Sequence, residues 1–362
     1  MGAITEYPLG SLLYLAVLIV GVAIIHEAQR RSIKSLLYLL IIFLALVFGL
    51  RAEGVGIDTI NYLRYYNETL RYGPSVTASW YDTIYVYGMS LFSMEGGFIA
   101  FNFVVTLVTN ALILCRLWDF RFDINLSLSF GLFYAFFIPV ELNIARQLLA
   151  IAIVFWGSRY IFTHKTWLFV LLLGFAVSIH RAALIAVLLL LALYFIKDQM
   201  SYAERTIVSV ATLMLPLCAI VALLFLMRSG YFADYAKYFA AKDIKVGLMT
   251  VIKVAVLFIG FSKAGIYERF SIQGRASLLF TFIGLAMSVV GYLFDYMERI
   301  GYFFSIFDIV TFSYLALLKR ESGSFEYECA LWLMVLYVLF TALSGNGQGI
   351  LPYGAIWLPE SF

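Results

Sequence analysis

The chain has 362 residues, 63% hydrophobic and 18% aromatic, with only 13% charged and a mean hydropathy of +0.94. Soluble chains of this size are about one-quarter charged, so a sizeable soluble domain is excluded. The formal net charge of +3 is too small, and too evenly spread, for a nucleic-acid-binding surface.

A membrane-spanning helix needs about 20 apolar residues. Apolar stretches lie at 9–25, 33–50, 97–117, 125–141, 145–163, 167–180, 182–197, 206–228, 247–263, 275–294, 300–318 and 327–345. The opening Met1-Gly2-Ala3-Ile4-Thr5-Glu6-Tyr7 lacks the basic n-region of a cleavable signal peptide, so the first run is expected to be retained. The pieces 167–180 and 182–197 read as two helices whose turn, Ser178-Ile179-His180-Arg181, dips below the membrane surface. A single tilted helix is the alternative and inverts everything downstream. The expected fold class is all-α: a polytopic integral membrane protein of about twelve transmembrane helices, compatible with a GT-C-like bundle. It forms a single domain over 1–362, with no internal repeat.

An even number of spans places both ends on one side. The loops with Arg30, Arg31, Lys34; Arg116, Arg121; Arg159, Lys165; Lys197, Arg205; Lys263, Arg269, Arg275; and Lys319, Arg320 then share the other. They hold fourteen of the 25 basic residues, which makes their side cytoplasmic. Two longer segments face away from it. The first, 51–96, is rich in Tyr and Trp; the second, 229–246, reads as an amphipathic interfacial helix with Lys237, Lys242 and Lys245 near lipid phosphates. Cys115, Cys218 and Cys329 lie in or beside apolar runs, without the spacing of a disulfide framework or a zinc site.

Five arginines stand on the face that normally carries few: Arg51, Arg146, Arg181, Arg228 and Arg299. Charge at a membrane boundary is costly, and the forked guanidinium is suited to gripping diphosphate. Arg228, at a helix end, reads as an interfacial anchor. Arg51 opens the stretch Arg51-Ala52-Glu53-Gly54-Val55-Gly56-Ile57-Asp58-Thr59, where Asp58 reads either as a functional acid or as the cap of a surface helix. Pro139 is expected to end one helix, and Arg146 opens the next, where it pairs either with an anionic ligand or with Glu141. His180 is the single histidine on the outer side, able to take a proton or to bond carbonyls in its turn. Arg299 follows Asp295 and Glu298, its candidate ion-pair partners. No Asp-x-Asp and no phosphate-binding Gly-x-x-x-x-Gly-Lys-Ser/Thr loop occurs, so neither a cofactor nor a metal is expected.

Together these stretches resemble the EpsG/Wzy family of polysaccharide polymerases. Arg51 with Gly56-Ile57-Asp58-Thr59-Ile60-Asn61-Tyr62 is similar to its Arg…Gly-x-Asp-x-x-x-Tyr stretch, with Thr59 where an aromatic is common. Arg146-Gln147-Leu148-Leu149-Ala150, His180-Arg181-Ala182-Ala183-Leu184, Arg299-Ile300-Gly301-Tyr302-Phe303 and Pro352-Tyr353 are similar to later features. The resemblance implies a bacterial inner-membrane O-antigen polymerase. Its substrates would be repeat units on undecaprenyl diphosphate, joined at the periplasmic face, and a chain-length regulator would be its partner in the bilayer. On that reading Arg146, Arg181 and Arg299, with Arg51 as a fourth, hold the departing diphosphate. His180 is the general base, with Asp58 or Glu141 as alternatives, and Tyr62, Tyr66 and Tyr302 are the candidate sugar platforms. A flippase for lipid-linked sugars and a glycan ligase are the competing readings; the near absence of charge at helix centres, Lys253 aside, disfavours the flippase.

Overall fold

The computed structural model describes residues 2–80, 82–192, 247–261, 267–291, 295–356 and 358. The expected span at 206–228 and the amphipathic segment 229–246 lie outside the described residues. What is described is helical, as a chain facing hydrocarbon requires: a helix satisfies its own backbone donors and acceptors where water cannot. Five described helices are long and apolar enough to cross a membrane, or six if one bent pair forms a single span. The chain divides into two compact units, Met1–Leu184 with Cys329–Phe362, and Ile185–Glu328.

In the first unit, α1 (Pro8–Arg31) starts with proline in its first turn and stops at Ser32. The amide of this left-handed residue (φ 56°) bonds back to the carbonyls of Ala28 and Gln29. α2 (Lys34–Leu44) widens into one π-turn over Ala45–Gly49, which delivers the chain to Arg51. The segment 51–96 is built from three short helices: α3 (Thr59–Tyr72), α4 (Pro74–Trp80) and α5 (Thr83–Ser90). The helix expected after Asp58 is therefore present, but Asp58 makes no side-chain cap bond.

α6 (Gly97–Asp119), α7 (Leu126–Asn143) and α8 (Ala145–Gly157) form the centre of this unit. Every residue of α7 except Phe136 is buried, so it carries no polar face and no amphipathic signal. Pro139 does not end α7. It sits inside the helix, which runs one further turn to Asn143. α9 (Thr166–Ile179) ends at His180, whose backbone is extended (φ −153°, ψ 112°), and a 3-10 turn follows at Arg181–Val187. The helix break expected around Ser178–Arg181 is thus centred on His180.

The second unit contains α10 (Leu248–Gly260), α11 (Ile272–Gly291), α12 (Asp295–Ser305) and α13 (Asp308–Glu321). The stretch Glu298–Ser305 meets α13 at a 45° bend. The buried Asp308, in the first turn of α13, receives the half-buried Lys253 of α10 at 2.7 Å. The carboxylate serves the positive helix end and offsets a lysine inside an apolar helix. α14 (Glu326–Gly345) starts in the second unit and continues into the first, where Trp332 fills the space beside Gly131.

Candidate functional site

Asp82 occupies the N-cap position of α5 in extended conformation (φ −70°, ψ 121°), yet its side chain caps nothing. Its carboxylate, 9% exposed, collects three positively charged or ionisable partners instead: Oδ2 lies 3.1 Å from Arg146 Nη1 and 3.8 Å from His180 Nδ1, and Oδ1 lies 3.4 Å from Arg181 Nε. The four residues come from α5, α8 and the break after α9, all within the first unit.

Arg146 is the second residue of α8, where a cation faces the positive end of the helix. Asp82 supplies the anion this position demands. The alternative partner weighed from sequence, Glu141, is engaged elsewhere. Three tyrosine rings surround the guanidinium, with Cζ at 6.0 Å from Tyr62, 5.9 Å from Tyr65 and 6.0 Å from Tyr85. Such contacts hold a cation that has lost water. The Arg146 Nε is buried and has no hydrogen-bond partner among the described residues. Arg181 differs. Its side chain is 61% exposed, and among the described residues Asp82 is its ion-pair partner.

The tyrosines divide by burial. Tyr62 and Tyr66 are both 5% exposed, Tyr62 against Arg146 and Tyr66 with its hydroxyl donating to the Phe92 carbonyl at 2.6 Å. Gly97 allows this, since a Cβ there would lie 1.8 Å from the same carbonyl. Tyr65 is half-buried and keeps part of its ring open. Burial, then the neighbouring Tyr62, push the Tyr85 phenol far above its ordinary range, so it stays protonated.

A second polar cluster gathers Arg51 and Glu141, each 1% exposed. Arg51 Nη1 donates to the Phe48 carbonyl at 3.0 Å, while its Nε and Nη2 have no hydrogen-bond partner among the described residues. Burial lowers its pKa, and the charge of Glu141 opposes that shift most strongly. Glu141 accepts from Asn110 Nδ2 at 2.9 and 3.1 Å. Tyr353 closes the cluster, its hydroxyl donating to the Val47 carbonyl and its ring edge-on to Tyr14 and Phe48.

The Gly-x-Asp stretch beside it has a structural explanation. Gly56 has φ +94°, and a Cβ there would come within 2.1 Å of the Leu142 carbonyl. Its amide donates to the Gly349 carbonyl at 2.7 Å, and the Asp58 amide donates to Asn143 Oδ1 at 2.7 Å. Thr59 is buried and its hydroxyl donates to the Val55 carbonyl at 2.7 Å. Residues 51–59 thus join the end of α7 to the C-terminal segment, with Arg51 bridged to Ala355.

The structure therefore brings Arg146, His180 and Arg181 together and joins Tyr62 to them. It places Arg51 and Glu141 in a separate buried cluster, and Asp58 against Asn143. Arg299 and Tyr302 belong to the second unit, on α12, where Arg299 is exposed and Tyr302 half-buried. Asp82 is the member that sequence reasoning missed. It is the one acidic residue between Glu68 and Glu95, and two guanidinium groups sharing a site call for an anion. Among the described residues no group of three or more His, Cys, Asp or Glu side chains is placed to hold a metal ion.

Apolar helices of membrane-crossing length define a helical membrane protein, and within it one buried carboxylate gathers two guanidinium groups and an imidazole. Residues 34–354, nearly the whole chain, match the EpsG family, and the chain belongs to that family. EpsG is a Wzy-like family of polysaccharide polymerases. No match to the chain was found among curated proteins or among solved structures.

Proposed function

We propose that this polymerase transfers a growing glycan from undecaprenyl diphosphate to a sugar hydroxyl of an incoming lipid-linked repeat unit. The reaction takes place at the periplasmic face of the bacterial inner membrane. The observation that carries this reading is the convergence of Arg146, Arg181 and His180 on one buried carboxylate. The departing diphosphate gains negative charge as its bond to the anomeric carbon breaks. Fixed guanidinium groups stabilise that charge more in the transition state than in the ground state.

Arg146, held by Asp82 and the tyrosine rings, is the fixed donor, and Arg181 is the donor free to swing from Asp82 to phosphate. Arg299 is proposed as a further phosphate ligand and Tyr302 as a sugar contact. His180 is the general base for the acceptor hydroxyl, and it stands beside the clamp that Asp58 and Glu141 do not join. Tyr65, with its open ring, is the sugar platform nearest the clamp; Tyr62 serves Arg146.

The test incubates the purified protein in detergent with undecaprenyl-diphosphate-linked repeat units and reads the product ladder on a gel. Arg146→Ala and Arg299→Ala are expected to abolish long chains while the protein remains in the membrane. Normal ladders from both variants would overturn the clamp.

A further inference from the structure

Asp82 holds a position that the clamp alone does not explain. An aspartate ahead of a helix ordinarily bonds the first-turn amides, and this one makes no such bond. Its carboxylate turns to the imidazole and both guanidinium groups. The ring it faces is mounted on a defined stalk. The His180 amide donates to the Ala176 carbonyl at 2.8 Å, its carbonyl accepts from the Ala183 amide at 2.9 Å, and its side chain is 10% exposed. Nδ1 is the nitrogen directed at Asp82.

We propose that Asp82 is a positioning residue. By accepting from Nδ1–H it fixes the tautomer and orientation of His180, so that Nε2 is the atom that receives the proton of the acceptor hydroxyl. The inference rests on the polymerase reading for the source of that proton. The proton passes to Nε2 while the bonding pair stays on oxygen. The oxygen attacks the anomeric carbon, and the carbon–oxygen bond to phosphate breaks with its electrons leaving on the diphosphate. Nε2–H then returns its proton to water. At 3.8 Å the contact is longer than a hydrogen bond; catalytic hydrogen bonds are often long without substrate and tighten once it binds. The charged groups around the ring are Asp82 ahead of α5, Arg146 on α8 and Arg181 next in the chain. The carboxylate favours the imidazolium, and both guanidinium groups oppose it. Removing the carboxylate leaves both guanidinium charges opposing the imidazolium among the described residues.

The experiment follows the His180 side-chain nitrogens by 15N NMR in a His26→Gln, His164→Gln background, with and without Asp82→Asn. The neutral ring is expected to carry its proton on Nδ1, and its titration midpoint to fall by roughly one pH unit or more in D82N. In the ladder assay D82N is expected to lose about 100-fold in rate, with the acid limb of its pH profile moved to lower pH. Asp82→Glu, which keeps the charge, recovers most of that rate. A wild-type ring protonated on Nε2, a midpoint unmoved by D82N, or a D82E no faster than D82N would each overturn the proposal. The wild-type tautomer decides by itself if D82N proves too unstable to purify. If wild-type protein makes no ladder, the polymerase reading fails, while the NMR result still decides whether Asp82 orients the ring.

Discussion

Asp82 Oδ2 and Arg146 Nη1 lie 3.1 Å apart, and the three rings of Tyr62, Tyr65 and Tyr85 surround the guanidinium of that pair. The pair fixes α5 against the start of α8, and it is poorly solvated, with side chains 9% and 18% exposed. Asp82→Ala strands a cation there and is expected to cost about 3–5 kcal/mol of stability. Thermal unfolding in detergent checks this. Combining D82A with Arg146→Met restores much of the loss, because neither charge then remains alone.

Arg181 obeys a different rule. Its side chain is 61% exposed, and exposed pairs contribute at most about 1 kcal/mol. Arg181→Ala is therefore expected to leave the unfolding temperature near wild type while lowering the polymerisation rate about 10²–10³-fold. A large fall in stability with unchanged rate would remove Arg181 from the clamp.

The Arg51–Glu141 cluster gives the reverse expectation. Both side chains are 1% exposed, so Glu141→Leu alone leaves the Arg51 guanidinium buried without that opposing charge and costs about 3–5 kcal/mol, whereas Arg51→Met leaves a carboxyl that can take up a proton and costs less. The double variant is expected to fold better than Glu141→Leu. Polymer formation by that double variant, measured on the same ladder, separates support of the site from direct chemistry.

Glycines 54 and 56 provide a controlled comparison two residues apart. A Cβ at Gly54 meets nothing within 4 Å, whereas one at Gly56 collides with the Leu142 carbonyl in a positive-φ backbone. Gly56→Ala is expected to cost on the order of 1–3 kcal/mol or more, and Gly54→Ala almost nothing. Protein yield and unfolding temperature of the two variants report this directly.

The proposed clamp uses guanidinium groups alone for the diphosphate charge, which predicts a reaction insensitive to chelators. Adding EDTA to the purified system is expected to leave ladder length and rate unchanged. Loss of activity that magnesium restores would show that a metal ion takes part.

The helices were legible because hydrocarbon forces a stretch of about 20 apolar residues to be continuous. α1, α6, α11 and α14 lie close to where hydropathy puts them. Arg146, His180 and Arg181 were legible because charge at a membrane boundary is anomalous and stands out in a chain this apolar. Asp82 did not stand out. An aspartate ahead of Thr83 in an aromatic, polar segment reads as a helix cap, and nothing local distinguishes one that turns away from its helix. Only the approach of α5, α8 and the α9 break brings the two guanidinium groups and the imidazole to that carboxylate. Arg51 was visible as a charge, yet its burial against Glu141 and its tie to Ala355 depend on the C-terminal segment folding back beside residues 51–59. Sequence alone thus determined which side chains are costly to place. Tertiary contacts decided which opposite charge offsets each one, because pairing depends on distance through space and periodicity records distance along the chain.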